Sequence, residues 1–92
     1  MKLFHYTQNV KRRSLFAQGE LQVPVTIMVV TGKKHIVGVA EAGDNSATVE
    51  KSFGLFGTKI EIDDVAKELL QKLGIPKNEW DKILNSKREI TM

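Results

Sequence analysis

The chain has 92 residues, of which 41% are hydrophobic and 27% charged, and a net charge of +3. This length suits a single domain, residues 1–92, and the composition is ordinary for a globular protein. The lack of cysteine excludes disulfides, thiol nucleophiles and thiolate metal ligands, and no apolar run is long enough to cross a bilayer. The chain opens without a signal-peptide pattern, so we expect a cytoplasmic protein.

Positive charge is concentrated in the first part of the chain. Residues 1–40 contain six lysines and arginines against one glutamate, a net charge of +5, whereas residues 41–92 contain eight basic and ten acidic residues. This asymmetry favours an anionic partner for the first part, or head-to-tail self-association.

The N-terminal residues alternate between strand and turn patterns. Leu3–Gln8 is rich in aromatic and β-favouring residues and predicts a strand. Asn9–Arg13 is polar and basic, and we expect a turn there. A short strand at Ser14–Gln18 would then precede a bend at Gly19.

Leu21–Thr31 has the clearest strand pattern. Its alternate residues are apolar and predict the side that faces the core: Leu21, Val23, Val25, Ile27 and Val29. Two further strands, His35–Glu41 and Ser46–Phe53, follow tight turns at residues 31–34 and 42–45. We therefore expect three strands in antiparallel succession.

Ile62–Arg88 has the strongest helical pattern. Apolar residues recur at helical spacing at Val65, Leu69, Leu70 and Leu73. Asp63 and Asp64 suit an N-cap and first turn, and Gly74 suits the end of this helix. Pro76 suits the first turn of a second helix. The sequence thus predicts an α+β fold, a three- to five-stranded mainly antiparallel sheet followed by a C-terminal pair of helices packed on one face.

Residues 66–88 also carry a local motif. An apolar residue and a glycine end one helix, an aliphatic residue lies in the turn, two positions are buried in the next helix, and a polar tail follows. These residues are Leu73, Gly74, Ile75, Trp80, Ile83, Asn85, Lys87 and Arg88. Their order resembles the helix-turn-helix of phage-repressor-type DNA-binding proteins, which implies a second helix that contacts DNA. The alternative is a helix pair that only covers the sheet.

Two basic clusters lie at predicted turns, and we consider them candidate nucleic-acid-binding residues: Lys11, Arg12, Arg13, Lys33 and Lys34. A sheet could bring both turns to one edge, where their charges would neutralise phosphates. The nearby aromatic residues Phe4, Tyr6 and Phe16 offer faces on which bases could stack, or else belong to the core.

A second candidate site is the segment in which Gly54 and Gly57 enclose two large apolar residues. Such a pair is unusual for a surface turn. Either the segment folds back over the core, or Phe53, Leu55 and Phe56 form an exposed tip that binds a partner.

No group of residues indicates catalysis. His5 and His35 lack the spacing of metal ligands, so we expect neither a metal site nor a cofactor. The sequence predicts a small non-enzymatic binding protein, a nucleic-acid-binding regulator or accessory factor that uses its basic N-terminal β half. The alternative is a protein–protein interaction module or inhibitor that acts through the 53–57 loop or a sheet edge, on another protein or as a homodimer.

Overall fold

The computed structural model describes residues 2–13, 20–52 and 60–91. They form a five-stranded antiparallel sheet with two helices, which confirms the α+β fold class. The elements in chain order are β1 (Lys2–Arg13), β2 (Glu20–Thr31), β3 (His35–Ala42), β4 (Asn45–Ser52), α1 (Ile62–Lys72), a short 3₁₀ helix (Lys77–Glu79), α2 (Trp80–Leu84) and β5 (Arg88–Thr91). The strand order in the sheet is β4-β3-β2-β1-β5.

The predicted core side of β2 is confirmed where its side chains are described. Val25, Ile27 and Val29 are fully buried, and Val23 is partly buried against them. The neighbouring strands add further buried residues on the same side of the sheet: Tyr6, Val10, Ile36, Ala40, Ala42 and Val49. The period of two in the sequence therefore identified the side that the helices cover.

Both helices pack on this side of the sheet. α1 contacts β2, β3 and β4, while α2 contacts β1 and α1. The predicted apolar stripe of α1 is buried, including Leu69 at 0% exposure. The closest approach is at Gly38 of β3, where an added Cβ would lie 2.8 Å from side-chain carbons of both Val65 and Leu69. A glycine at this position lets α1 lie directly against the strand.

The start of α1 differs from the prediction. The N-cap is Glu61, and its side chain makes no capping hydrogen bond. Asp63 and Asp64 instead both lie in the first turn, where carboxylates still interact favourably with the helix dipole.

The end of α1 agrees with the prediction. Gly74 has φ of 74°, and its N–H donates to the Gln71 carbonyl at 3.1 Å. The N–H of Ile75 donates to the Leu70 carbonyl at 3.0 Å. These two bonds form a Schellman motif, which needs a residue that tolerates the left-handed conformation.

The second helix is shorter than predicted. Pro76 is extended, with ψ of 142°, and a 3₁₀ turn precedes the five residues of α2. Trp80 donates its indole N–H to the Ile75 carbonyl at 2.8 Å, which closes the connection between the helices. Ile83 is fully buried, so the predicted apolar side of this helix does face the core.

The strands differ from the prediction in two places, and the predicted strand at Ser14–Gln18 lies outside the described residues. β1 continues through Asn9–Arg13, where a turn was expected, because these residues pair with β2. β5 was not predicted; it follows the two helices and pairs with Lys2–His5 of β1.

Candidate functional site

β1 and β2 extend together beyond the rest of the sheet. Pairing between β2 and β3 begins at Val25, so five β1–β2 pairs, from Asn9–Pro24 to Arg13–Glu20, lie beyond β3. We call residues 9–13 and 20–24 the β-arm. At a rise of about 3.4 Å per residue, the β-arm projects by about 17 Å.

The first basic cluster lies on the β-arm. Lys11, Arg12 and Arg13 are the last three residues of β1, and Lys11 is exposed. Glu20 is the one acidic residue in the sequence of the arm, so three basic residues against one acidic residue give a net charge of +2. The β-arm is therefore a narrow, positively charged ribbon.

The second basic cluster is at the other end of the sheet. Lys33 and Lys34 are exposed in the turn between β2 and β3, which follows the Lys2–Thr31 pair. Lys2 and Arg12 are ten residues apart along β1, so the two clusters are separated by about 34 Å. The expectation that the two clusters share an edge is wrong, because β1 passes straight through Asn9 instead of turning there.

Two of the three aromatic residues near the first cluster pack into the core and are not available to stack on bases. Tyr6 is fully buried, and Phe4 packs partly buried against the core. Phe16 lies outside the described residues. Phe4 and Tyr6 are therefore core residues, as the alternative interpretation of the sequence held.

Tyr6 joins β1 to the start of α1. Its hydroxyl donates a 2.6 Å hydrogen bond to Asp63 Oδ1, and Lys87 Nζ lies 3.3 Å from the same oxygen. Burial raises the pKa of Tyr6 above its usual value, and the bond to Asp63 and its negative charge act in the same direction. The phenol therefore stays protonated at neutral pH and serves as a structural donor.

The side of the sheet opposite the helices has no described element over it, and we call it the open face. The strand register places two rows of side chains across it. The first row is Glu50, Val37, Val30, Leu3 and Ile90; the second is Thr48, Val39, Met28, His5 and Arg88. Met28 is 42% exposed, and Val39 and Ile90 are each 43% exposed. The open face therefore presents an apolar centre.

The charged residues on the strands of the open face are segregated by sign. Glu41 and Glu50 lie on β3 and β4, whereas Arg88 lies on β5; one histidine lies on each side of β2, His5 on β1 and His35 on β3. β2 separates the two groups. This surface was not predicted from the sequence, although apolar Met28 and Val30 on the non-core side of β2 were a signal for it.

Side chains form hydrogen bonds with backbone groups of β4 and of the part of β1 that lies beyond β5. At the β4 edge, Lys72 Nζ donates to the Thr48 carbonyl at 3.2 Å. At the β1 edge, the Thr7 N–H donates to Ser86 Oγ at 3.1 Å. These bonds occupy backbone groups that an added strand would need. Phe53, Leu55 and Phe56, the candidate partner-binding residues, lie outside the described residues.

The helix pair presents no excess of positive charge. Between residues 77 and 82, Lys77 and Lys82 are balanced by Glu79 and Asp81. Lys77 Nζ lies 5.9 Å from the centre of the Trp80 ring, a cation–π contact that holds this lysine beside α2. DNA contact by α2, as the helix-turn-helix resemblance implies, stays a prediction.

An apolar cavity of about 260 Å³ lies between the base of the β-arm and the end of α1. Its lining residues are Val10, Lys11, Val23, Ala42, Leu73, Gly74, Ile75 and Pro76. Lys11 is the one ionisable side chain among these described residues, which therefore provide no acid–base pair or activated nucleophile.

The described residues contain no group of three or more histidine, cysteine, aspartate and glutamate side chains that could hold a metal ion. Among the same residues, no helix is long and apolar enough to cross a membrane.

Comparison with known proteins identifies a viral relative. The chain is 52% identical over 90 residues to "Uncharacterized protein 72" of Sulfolobus islandicus filamentous virus (isolate Iceland/Hveragerdi), covering 98% of this chain and 92% of that protein. The chain belongs to the family of this viral protein. No protein-family model matches the chain, and no solved structure matches it.

Proposed function

We propose that the protein is a non-enzymatic nucleic-acid-binding factor that contacts a duplex with its β-arm. The observation that carries the proposal is the projection of the first basic cluster, Lys11, Arg12 and Arg13, beyond the sheet on a two-stranded ribbon. In the cytoplasm, such a protein would act as a regulator or accessory factor.

The dimensions of the β-arm suit a groove of duplex DNA. The major groove admits a two-stranded β-ribbon, and lysine and arginine on such a ribbon neutralise phosphates on both sides. Single-stranded recognition depends on aromatic side chains that stack on bases. Burial of Phe4 and Tyr6 removes two such side chains, which favours a duplex as the ligand.

Lys33 and Lys34 have a separate role in this proposal. Because they lie about 34 Å from the arm cluster along the strand direction, they do not contact the phosphates that the β-arm contacts. They therefore provide a matched control for the arm residues, since both clusters can be changed by the same number of charges.

The test compares two double charge reversals, Lys11→Glu with Arg12→Glu and Lys33→Glu with Lys34→Glu. Labelled single- and double-stranded oligonucleotides are titrated at several salt concentrations with the wild-type protein and both variants. We expect the arm variant to lose binding and the turn variant to keep most of it. Circular dichroism and the melting temperature establish that each variant is folded.

Two results would contradict the proposal. One is wild-type affinity for duplex DNA weaker than about 100 μM at physiological salt, the weak end of ordinary non-specific binding. The other is an equal loss of affinity in both variants, which would indicate attraction by the whole molecule rather than contact by the β-arm.

A second candidate function is a protein–protein interaction module or inhibitor. The exposure of Met28, Val39 and Ile90 on one side of the sheet supports it, since contiguous exposed apolar side chains mark interaction surfaces. Binding of this kind would tolerate salt, whereas binding of nucleic acid by the β-arm would weaken steeply as salt rises.

A further inference from the structure

We infer that the open face binds the open face of a second copy of the chain, with a two-fold axis that runs parallel to β2. The resulting dimer is a sandwich of two sheets with the helices outside. Three features of the described residues carry the inference: the apolar centre, the segregation of charge and the area of the open face.

The apolar centre of the open face surrounds β2, the middle strand of the five. Met28 and Val30 lie on β2, with Val37 and Val39 on one side and Leu3 on the other. Sheets that pack face to face interdigitate such side chains in a layer about 10 Å thick. A two-fold axis along β2 places Met28 and Val30 against the same residues of the second copy, and β3 against its β1.

The charges select the direction of the axis. Rotation about an axis parallel to the strands lays the acidic side of one face, with Glu41 and Glu50, over the side of the other that carries Arg88. Rotation about an axis that lies in the plane of the face but runs perpendicular to the strands would lay β4 over β4 and place like charges together. Like charges that meet across an interface cost several kcal/mol. The parallel axis is therefore the self-complementary arrangement.

The area of the face suits a dimer of moderate affinity. Four strands with about eight residues each over this face, together with the four residues of β5, are spaced by about 4.8 Å and cover about 600 Å². Specific interfaces bury about 800 Å² per partner, and those somewhat smaller belong to transient complexes. We therefore expect self-association at micromolar concentrations of the protein.

This dimer has a consequence for the β-arm. Rotation about an axis parallel to the strands preserves their direction, so both arms leave the dimer from the same end. The perpendicular axis would send them to opposite ends. The arrangement of the arms thus provides a geometric test that does not depend on nucleic acid.

The first experiment measures the mass of the protein in solution by sedimentation equilibrium, without nucleic acid. Met28→Glu places two carboxylates against each other on the two-fold axis, and we expect it to weaken the dimer more than about a hundredfold. Because Met28 is exposed, the monomer should keep its fold. Asn78→Asp, at an exposed position on the 3₁₀ helix, adds the same charge away from the face and should leave the dimer unchanged.

A charge exchange tests the axis. Glu50→Arg alone and Arg88→Glu alone should each weaken the dimer, and the double variant should restore it. A pure hydrophobic association would show no such restoration.

A distance measurement tests the same point. The chain has no cysteine, so Gln22→Cys introduces one spin-label site on the β-arm. Double electron–electron resonance should give a distance below about 20 Å for the parallel axis, because the two β2 strands then lie about 10 Å apart, against about 40 Å for the perpendicular one.

Several outcomes would overturn the inference. One is a wild-type protein that stays monomeric up to near-millimolar concentration. If dimers then formed only in the Phe56→Ser variant, residues 53–59 rather than a second copy would cover the open face. Another is a dimer that Met28→Glu leaves intact, which would place the interface elsewhere. A label distance near 40 Å would refute the axis. Nucleic-acid binding by a strictly monomeric protein would overturn the dimer and leave the proposed function standing.

Discussion

Tyr6 and Asp63, 57 residues apart in the chain, are joined by a 2.6 Å hydrogen bond from the phenol to the carboxylate. The bond fixes the first turn of α1 against β1. Since Lys87 contacts the same carboxylate just before β5 begins, Asp63 links three elements. This contact explains how one acidic residue contributes to the fold without capping the helix.

The ionisation of Tyr6 should therefore be coupled to unfolding. Its pKa is raised in the folded protein by burial first and by Asp63 second, so folding favours the protonated phenol. The stabilisation is complete below pH of about 10, the pKa of an unfolded tyrosine, and is lost above it at about 1.4 kcal/mol per pH unit. Because the chain has one tyrosine, the ultraviolet absorbance of tyrosinate reports this residue alone.

We expect that signal to appear together with the loss of circular dichroism. Tyr6→Phe serves as the control, since it lacks the ionisable group and its stability should fall less between neutral and alkaline pH. Ionisation of Tyr6 near pH 10 with the fold intact would contradict the burial of the phenol.

Leu69→Ala should destabilise the fold by about 2–5 kcal/mol, the usual cost of a cavity left by a buried leucine. Leu69 is 0% exposed and lies in the middle of the apolar stripe of α1. The measurement is urea unfolding followed by circular dichroism. Lys67→Ala, an exposed position on the same helix, should change stability by less than about 0.5 kcal/mol. A similar small effect of Leu69→Ala would refute the packing of α1 on the sheet.

Gly38→Ala should destabilise the fold although alanine suits a β-strand better than glycine. The added methyl group would lie 2.8 Å from side-chain carbons of both Val65 and Leu69, and overpacking of this kind costs about 1–3 kcal/mol. In Gly32→Ala, the nearest atom to the new Cβ is the His35 carbonyl oxygen at 3.4 Å, so the loss should be smaller. Equal unfolding free energies for the two variants would show that α1 can move away from β3 at little cost.

The fold could be predicted where burial imposes a period on the sequence. The alternation in β2 and the helical spacing in α1 both follow from one buried side, and Gly74 marks the helix end because its motif needs positive φ. β5 could not be predicted, since Ile90, its one apolar residue, is 43% exposed and the strand depends on backbone pairing with β1.

The candidate sites were less predictable than the fold. Asn9–Arg13 has the composition of a turn, and only its pairing with β2 makes it an arm. Likewise, Glu50 and Arg88 are 38 positions apart in the sequence, and their segregation to opposite sides of the open face follows from the strand order. Composition identified which residues are basic, but topology determines which of them act together.

The two proposals together make a prediction about salt. Each phosphate contact contributes about −0.9 to the slope of log affinity against log salt for a duplex. One β-arm with three basic residues would then give a slope of about −2.7, and two arms on one duplex about −5.4. Titration at several salt concentrations should show the larger slope for the wild-type protein and the smaller one for Met28→Glu, because that variant binds as a monomer. Asn78→Asp carries the same added charge and should keep the wild-type slope. Equal slopes in all three proteins would mean that the second arm makes no contact with the duplex.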